Sequence, residues 1–307
     1  MRIFLTGATG YIGAAVLDSL VRAGNDVTAL VRNSEKARRV AQRGAHPVIG
    51  ELSQPDTYRA SADGQDGYVH TAFDARSGRG PAIDLVVLKT LLAAAQRPRT
   101  GGSLIPSRRF VIYTSVVWVL GRSPEPLSED APTNPVEHVS WLPQHEQMVL
   151  DTNSDHLRSV VVRPGVVYGR GNGIVADLFK SASNGLVRVI GDGNNHWPLV
   201  YDRDLADLYA RIARREDASG VYHANDEGDE RVNDIVDAIK PYLPLKPDVR
   251  HVPLDEARHK MGTYAEALAL DQIVRSPRAR AMGWTPTLHS VAGNLPRLLE
   301  EWRATRN

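Results

Sequence analysis

Cysteine is missing from all 307 residues of the chain. Its absence excludes disulfides, thiolate nucleophiles and Cys-ligated metals. A charge excess of either sign is missing as well: 37 Lys and Arg stand against 36 Asp and Glu, a formal net charge of +1. That balance lacks the basic footprint of a nucleic-acid binder, so no nucleic-acid partner is expected. Long apolar runs are also lacking. None approaches the ~20 residues of a membrane helix, and no membrane partner is expected. The opening MRIFLTG carries one Arg and a short apolar stretch that stops at glycine, without the longer apolar core or cleavage site of a signal peptide. The expectation is a cytoplasmic protein. The histidines avoid metal-ligand spacing: after HEQ at His145–Gln147, position 149 is Val where HExxH needs a second histidine, so no metal is expected. Ser115 lies outside any GxSxG, which leaves a hydrolase triad unsupported.

What is present is a 42% hydrophobic chain with ample material for a core. Strand-like and helix-like runs alternate through its first half. The expected strands are Arg2–Leu5, Asp26–Val31, His46–Ile49, Tyr68–Ala72, Phe110–Ser115 and Arg158–Val162. The expected helices are Tyr11–Ala23, Ser34–Arg43 capped by Ser34, Ile83–Ala95 and Trp141–Leu150. This rhythm predicts an α/β fold, a doubly wound parallel sheet with helices on both faces. Beyond Gly165 it breaks up. Helices are expected over Asp202–Arg215, Val232–Ile239, Leu254–Lys260 and Val291–Ala304, with a rigid proline-rich passage at Tyr242–Pro247. The division expected is a dinucleotide-binding Rossmann core over 1–165 and a smaller, mostly helical substrate lobe over 166–307, some of whose segments return to the sheet.

Residues 6–13 read TGATGYIG, between the first strand and the first helix. In that context Gly7 permits a tight turn, Gly10 lets backbone approach a pyrophosphate, and Gly13 lets helix pack on strand. The helix N-terminus offers N–H groups and a positive dipole end to the phosphates. The end of the second strand separates the two nicotinamide cofactors. An NAD site usually has Asp or Glu there for the ribose 2′-OH. Here the residues are Val31 and Arg32, and an arginine's planar fork suits a 2′-phosphate. The cofactor expected is NADP(H).

These residues, with GEL at 50–52, HTA at 70–72, YTS at 113–115 and RPGVVYG at 163–169, come in an order that resembles the short-chain dehydrogenase/reductases. The branch is the extended or atypical, epimerase/dehydratase-like one. GDG at 191–193 followed by VYDRDLA at 200–206 is similar to the stretch leading into the substrate lobe there. The resemblance implies that Thr9, Tyr11 and Ile12 join the glycines at the cofactor. It places Glu51 and Leu52 beside the adenine, and Thr71, Ala72 and Phe73 along the ribose and pyrophosphate. Thr114 and Ser115 would face the nicotinamide, and Pro164, Gly165 and Val167 would complete the contacts.

The same resemblance exposes a departure. The family's catalytic core is Ser or Thr, then Tyr-x-x-x-Lys on the next long helix. Ser115 fits the first role, but the helix stretch reads HVSWLPQHEQ, with Trp141 in the tyrosine's place and His145 in the lysine's. An indole N–H donates a hydrogen bond but does not release its proton near neutral pH. Three explanations stand side by side. The acid has moved, to His145 or to Tyr168; water protonates the product; or the chain binds NADP(H) without turnover, as a sensor. His145 equally suits a ribose hydrogen bond, and Trp141 an aromatic wall favouring an apolar or aromatic substrate. The function expected is NADPH-dependent reduction of a small carbonyl or conjugated substrate. An epimerase or dehydratase using the cofactor transiently is the alternative enzyme. Asp202 and Asp204 read as first-turn charges of a helix, and RSPRAR at 275–280 as a solvated helix end. The residues 261–272 suit either a pocket lining or a subunit contact, and a homodimer is left open.

Overall fold

The computed structural model describes residues 1–75, 77–98, 108–242 and 247–305. The chain opens with β1 (Arg2–Thr6), α1 (Tyr11–Arg22), β2 (Asp26–Val31), α2 (Ser34–Ala41) and β3 (His46–Ile49). It continues through α3 (Arg59–Ala62), β4 (Gly67–His70), α4 (Gly80–Gln96), β5 (Arg109–Thr114) and α5 (Leu142–Leu150). In β1 the residues Ile3, Phe4 and Leu5 are all fully buried. Such a continuous apolar run, rather than alternation, is what a parallel strand covered on both faces requires. In α1 the buried Gly13, Val16, Leu17 and Leu20 recur at helical spacing and form the face laid on the sheet.

Seven strands form one sheet in the order Gly220–Ala224, Leu157–Pro164, β5, β4, β1, β2, β3. From Leu157–Pro164 to β3 each neighbouring pair runs parallel. The expected doubly wound sheet is therefore present, with helical elements beyond it. The winding direction reverses between β1 and β4, and the crevice outside the carboxyl ends of such strands is where this architecture binds ligands. Gly7 follows β1, Thr71 follows β4 and Ser115 follows β5.

Two compact units divide the chain. The first comprises Met1–Ser115, Trp141–Val162 and Leu205–Tyr222, and the second Val116–Ser140, Arg163–Asp204 and His223–Asn307. The second unit is built on helices Gly173–Ser183, Val232–Ile239, Leu254–Met261 and Leu295–Ala304 with short two-stranded sheets between them. Its core gathers Val175, Phe179, Ile235, Leu298 and Trp302. Among the described residues no helix is long and apolar enough to cross a membrane.

Several local expectations are corrected. Helix α2 is capped by Asn33, whose side chain accepts from Lys36 N at 3.0 Å; Ser34 is already helical. Strand β4 stops at His70, two residues early, because the Thr71 backbone N–H and hydroxyl both turn to the Thr6 carbonyl. Helix α4 starts at Gly80, since Pro81 fits a first turn. The last helix starts at Leu295, with Pro296 in its first turn. The run at 275–280 is ion-paired rather than merely solvated: Arg275 grips Asp229, Arg278 pairs with Asp130 and Arg280 with Glu227. Asp202 and Asp204 do occupy a first turn, and each also has a partner. Asp202 accepts from Arg170, and Asp204 accepts from the Thr287 N–H and hydroxyl. Within the expected proline-rich passage, residues 243–246 lie outside the described residues.

Candidate functional site

The loop from Gly7 to Gly13 shows three different demands on three glycines. Gly7 has φ of +79°, and a Cβ there would lie 2.6 Å from Thr71 Oγ1. A Cβ on Gly13 would lie 2.1 Å from the Gly7 carbonyl oxygen. Both glycines are therefore held by the protein's own packing. Gly10 is different: a Cβ there would meet only the Gly7 oxygen, at 3.2 Å. Gly10 begins α1 as an extended N-cap with no side-chain capping bond. The space over Gly10 is left open by the protein, as close approach of a pyrophosphate would require. Thr9 is exposed, while Tyr11 and Ile12 are half-buried in the first turn.

The first unit also holds most of the other residues expected at the cofactor. Arg32 is exposed beyond the end of β2 and, among the described residues, has no ion-pair partner. No carboxylate occupies that position. Gly50 follows β3 and bonds the Val31 carbonyl, so Glu51 and Leu52 stand beside the end of β2. The Glu51 carboxylate turns back to accept from Leu52 N. Thr71 uses its hydroxyl to tie β4 to β1, at 2.8 Å from the Thr6 oxygen. Ala72 is half-buried. Phe73 is 52% exposed and stacks on Trp141, with ring centroids 5.5 Å apart and planes within 9°.

Ser115 follows β5, with its N–H on the Val162 carbonyl at 2.8 Å. Its Oγ is buried and has no partner among the described residues. A buried hydroxyl without a partner costs on the order of 1–3 kcal/mol, so its presence calls for a ligand or a role. The hydroxyl of its neighbour Thr114 shares a hydrogen bond with Tyr209 at 2.6 Å.

Helix α5 carries Pro143 in its first turn, so Trp141 and His145 share one face as the i, i+4 spacing predicts. Their rings meet edge to face at 4.9 Å. His145 is 4% exposed, and its Nδ1 lies 2.7 Å from Asp84 Oδ2. Asp84 is the residue that sequence reasoning missed. It sits in α4 among the buried Ile83, Val87, Leu88 and Leu91, and three groups from three other elements meet around it. Tyr113 of β5 donates its hydroxyl to Oδ2 at 2.8 Å. His70 of β4 meets Oδ1 through Nε2 at 3.0 Å, and its Nδ1 lies 2.5 Å from the Thr6 hydroxyl. Burial pushes the Asp84 carboxyl up, but the hydrogen bonds from His145, His70 and Tyr113 outweigh it and hold the group down at about 2. The carboxylate is ionised at neutral pH. The legible signal was an acid on the core face of an apolar helix, which is stable only when partnered.

The remaining expected residues lie in the second unit. Pro164 ends its strand, and Gly165 comes so close to Pro198 that a Cβ would lie 2.4 Å from that residue's carbonyl oxygen. Val167 is buried in the short strand Val166–Tyr168. Tyr168 is fully buried, packs against Tyr201 and donates its hydroxyl to Asp226 Oδ2 at 3.1 Å. Burial, with the Asp226 carboxylate beside it, pushes the phenol far above its ordinary range. The hydroxyl expected as a candidate proton donor thus has its proton directed at Asp226. Helix Tyr264–Leu268 places Tyr264 against His138 and Trp118, with centroid distances of 5.3 and 6.1 Å.

Known proteins share this architecture. The chain is 32% identical over 300 residues to an uncharacterised protein of Schizosaccharomyces pombe, covering 95% of this chain and 96% of that one. It is 27% identical over 267 residues to 4-hydroxy-2-methyl-3-oxo-4-farnesyl-3,4-dihydroquinoline-1-oxide ketoreductase of Stigmatella aurantiaca, covering 84% of this chain and 78% of the relative. Among solved structures, the human epimerase family protein SDR39U1 with NADPH superposes with a TM-score of 0.78 at 21% identity, over 98% and 99% of the two chains. The model of the NAD dependent epimerase/dehydratase family matches residues 3–225. With the glycine loop, the sheet order and that match in agreement, the chain belongs to the NAD dependent epimerase/dehydratase family.

Proposed function

We propose that the protein is an NADPH-dependent reductase of a small, apolar or aromatic carbonyl compound. The observation that carries the reading is the buried, unpartnered hydroxyl of Ser115 at the end of β5, in the unit that also holds the glycine loop and His145. The residues suit the cofactor. Gly10 presents open backbone, Gly7 and Gly13 hold the turn, and Arg32 has no ion-pair partner among the described residues where an NAD site would have an acid. A reduced nicotinamide, when bound, supplies a hydride. Ser115 Oγ–H donates a hydrogen bond to the substrate oxygen and polarises the carbonyl. His145, tethered through Nδ1, has Nε2 left to deliver a proton to that oxygen. Phe73 and Trp141 form a flat aromatic wall beside it, which favours planar or apolar substrates over sugars. The ketoreductase relative and the NADPH-bound structural neighbour support the same reading.

The test is a panel of aliphatic ketones, aryl ketones, enones and nucleotide sugars, each followed by the loss of reduced-cofactor absorbance. Turnover of ketones with NADPH, in preference to NADH, is the expected result. Isomerised or dehydrated sugar without net cofactor change would replace this reading with the epimerase or dehydratase one. Tight NADPH binding with no turnover of any class would replace it with the sensor.

A further inference from the structure

We infer that Asp84 is a positioning residue that fixes the ring of His145 with the proton on Nδ1 and so makes Nε2 the atom that reacts. The inference rests on the reading of His145 as proton donor. Its own content, the tautomer and the charge behind it, can be tested separately.

An ionised carboxylate only accepts hydrogen bonds. Its three close neighbours must therefore all donate: Tyr113 through its hydroxyl, His70 through Nε2–H and His145 through Nδ1–H. A neutral imidazole carries one N–H, so with Nδ1 protonated its Nε2 holds a lone pair. Protonation at Nε2 then gives an imidazolium whose charge lies against the Asp84 carboxylate, in a site almost closed to water. His145 and Asp84 are 4% and 5% exposed, so the attraction is little screened. The ring is also held sideways, edge to face with Trp141. On transfer, the Nε2–H bond breaks and an O–H bond forms on the substrate oxygen, whose carbon would take the hydride that a bound reduced nicotinamide would supply. His145 is left neutral with Nδ1–H still on Asp84, and solvent restores the proton.

The arrangement is anchored on its far side. His70, having donated from Nε2, accepts the Thr6 hydroxyl at Nδ1, and the Thr6 carbonyl in turn holds Thr71. Asp84 thus has one oxygen tied through His70 to Thr6, in the strand that leads into the glycine loop, and the other shared by His145 and Tyr113. The buried Glu146 lies next to His145 on α5, but Asp84 is the acid bonded to the ring.

Two measurements decide the matter. Ring ¹⁵N spectra of the histidine-labelled whole protein, with His145 assigned by its loss in His145→Gln, should show neutral His145 protonated at Nδ1. A neutral ring protonated at Nε2 overturns the inference even if the enzyme is active. Kinetically, Asp84→Asn should lower kcat by roughly 10²- to 10⁴-fold, as removal of such a carboxylate from a histidine does elsewhere, and leave NADPH Kd within about 3-fold. Tyr113→Phe removes another donor to the same carboxylate but keeps its charge, and should lose at least ~10-fold less kcat than Asp84→Asn. Equal losses in the two variants would mark the cluster as structural packing only and overturn the inference. If Asp84→Asn fails to fold, the wild-type spectrum alone still decides. If no carbonyl is turned over, the reductase reading fails while the tautomer continues to judge Asp84.

Discussion

A Cβ on Gly13 would stand 2.1 Å from the carbonyl oxygen of Gly7, closer than any side chain is tolerated. The contact is between two backbones, so neither partner can swing aside. Gly13→Ala should destabilise the fold by about 3 kcal/mol or more. Gly10→Ala meets only the Gly7 oxygen at 3.2 Å and should cost less than about 1 kcal/mol. Gly10→Val should lower the melting temperature only modestly, far less than Gly13→Ala, yet abolish NADPH binding, because its branch fills the open space over the turn. Thermal melts beside calorimetric titration check the pair. Undiminished binding by Gly10→Val would mean that phosphate does not sit on this turn.

Arg32 carries the cofactor preference. It is exposed and free of ion pairs among the described residues. A charge-assisted contact to a 2′-phosphate is worth ~1.5–3 kcal/mol. Arg32→Ala should therefore weaken NADPH by roughly 10- to 150-fold and leave NADH nearly unchanged. Titrating both cofactors against both proteins is the measurement. Equal losses would remove Arg32 from the 2′-phosphate, and a wild-type preference for NADH would reverse the assignment.

The elements nearest the glycine loop were legible because their signals are local. Strands Asp26–Val31 and His46–Ile49 match their expected bounds, each flanked by glycine or a capping residue. The one-residue error at the start of α2 is a choice between adjacent capping residues, Asn33 and Ser34, which carry equal propensity. The buried cluster was not legible, because its members are brought together by topology. Asp84 and His145 lie 61 residues apart, and Thr114 and Tyr209 lie 95 apart. Sequence periodicity gives the face on which a residue lies, but not the partner that a neighbouring strand will bring to it. Tyr168 shows the converse. Its motif RPGVVYG matched, but motif order says nothing about a hydroxyl directed at Asp226.

His145 and Ser115 separate chemistry from binding. His145→Phe should lower turnover by roughly 10²- to 10⁴-fold, the range for loss of one general acid. His145→Gln keeps a hydrogen-bonding side chain but cannot cycle a proton, and should be as slow. If glutamine instead restores near-wild-type turnover, His145 serves only to bind. Ser115→Ala should lower kcat with little change in NADPH Kd. Unchanged turnover would show that the carbonyl reacts elsewhere.

Asp226 gives a prediction about stability and pH that stands apart from catalysis. The carboxyl is 1% exposed in the second unit. Burial pushes it up to about 7, with nearby Glu230 adding to the rise, although the Gly228 N–H and the Tyr168 hydroxyl favour the charged form. A carboxyl whose folded value is raised keeps its proton in the folded protein where the unfolded chain has lost it. The folded state then binds more protons between pH ~4 and ~7, so stability falls as pH rises through that window and is flat above it. From 3.8 to about 7 the full loss is about 4 kcal/mol. Asp226→Asn does not titrate. Its oxygen can still accept Gly228 N, and its amide can donate to the Tyr168 oxygen. The variant should therefore melt close to wild type at pH 4.5 and clearly above it at pH 8. Melting curves of both proteins across that range test this, and a difference between them that does not change with pH would show that Asp226 titrates as an ordinary carboxylate.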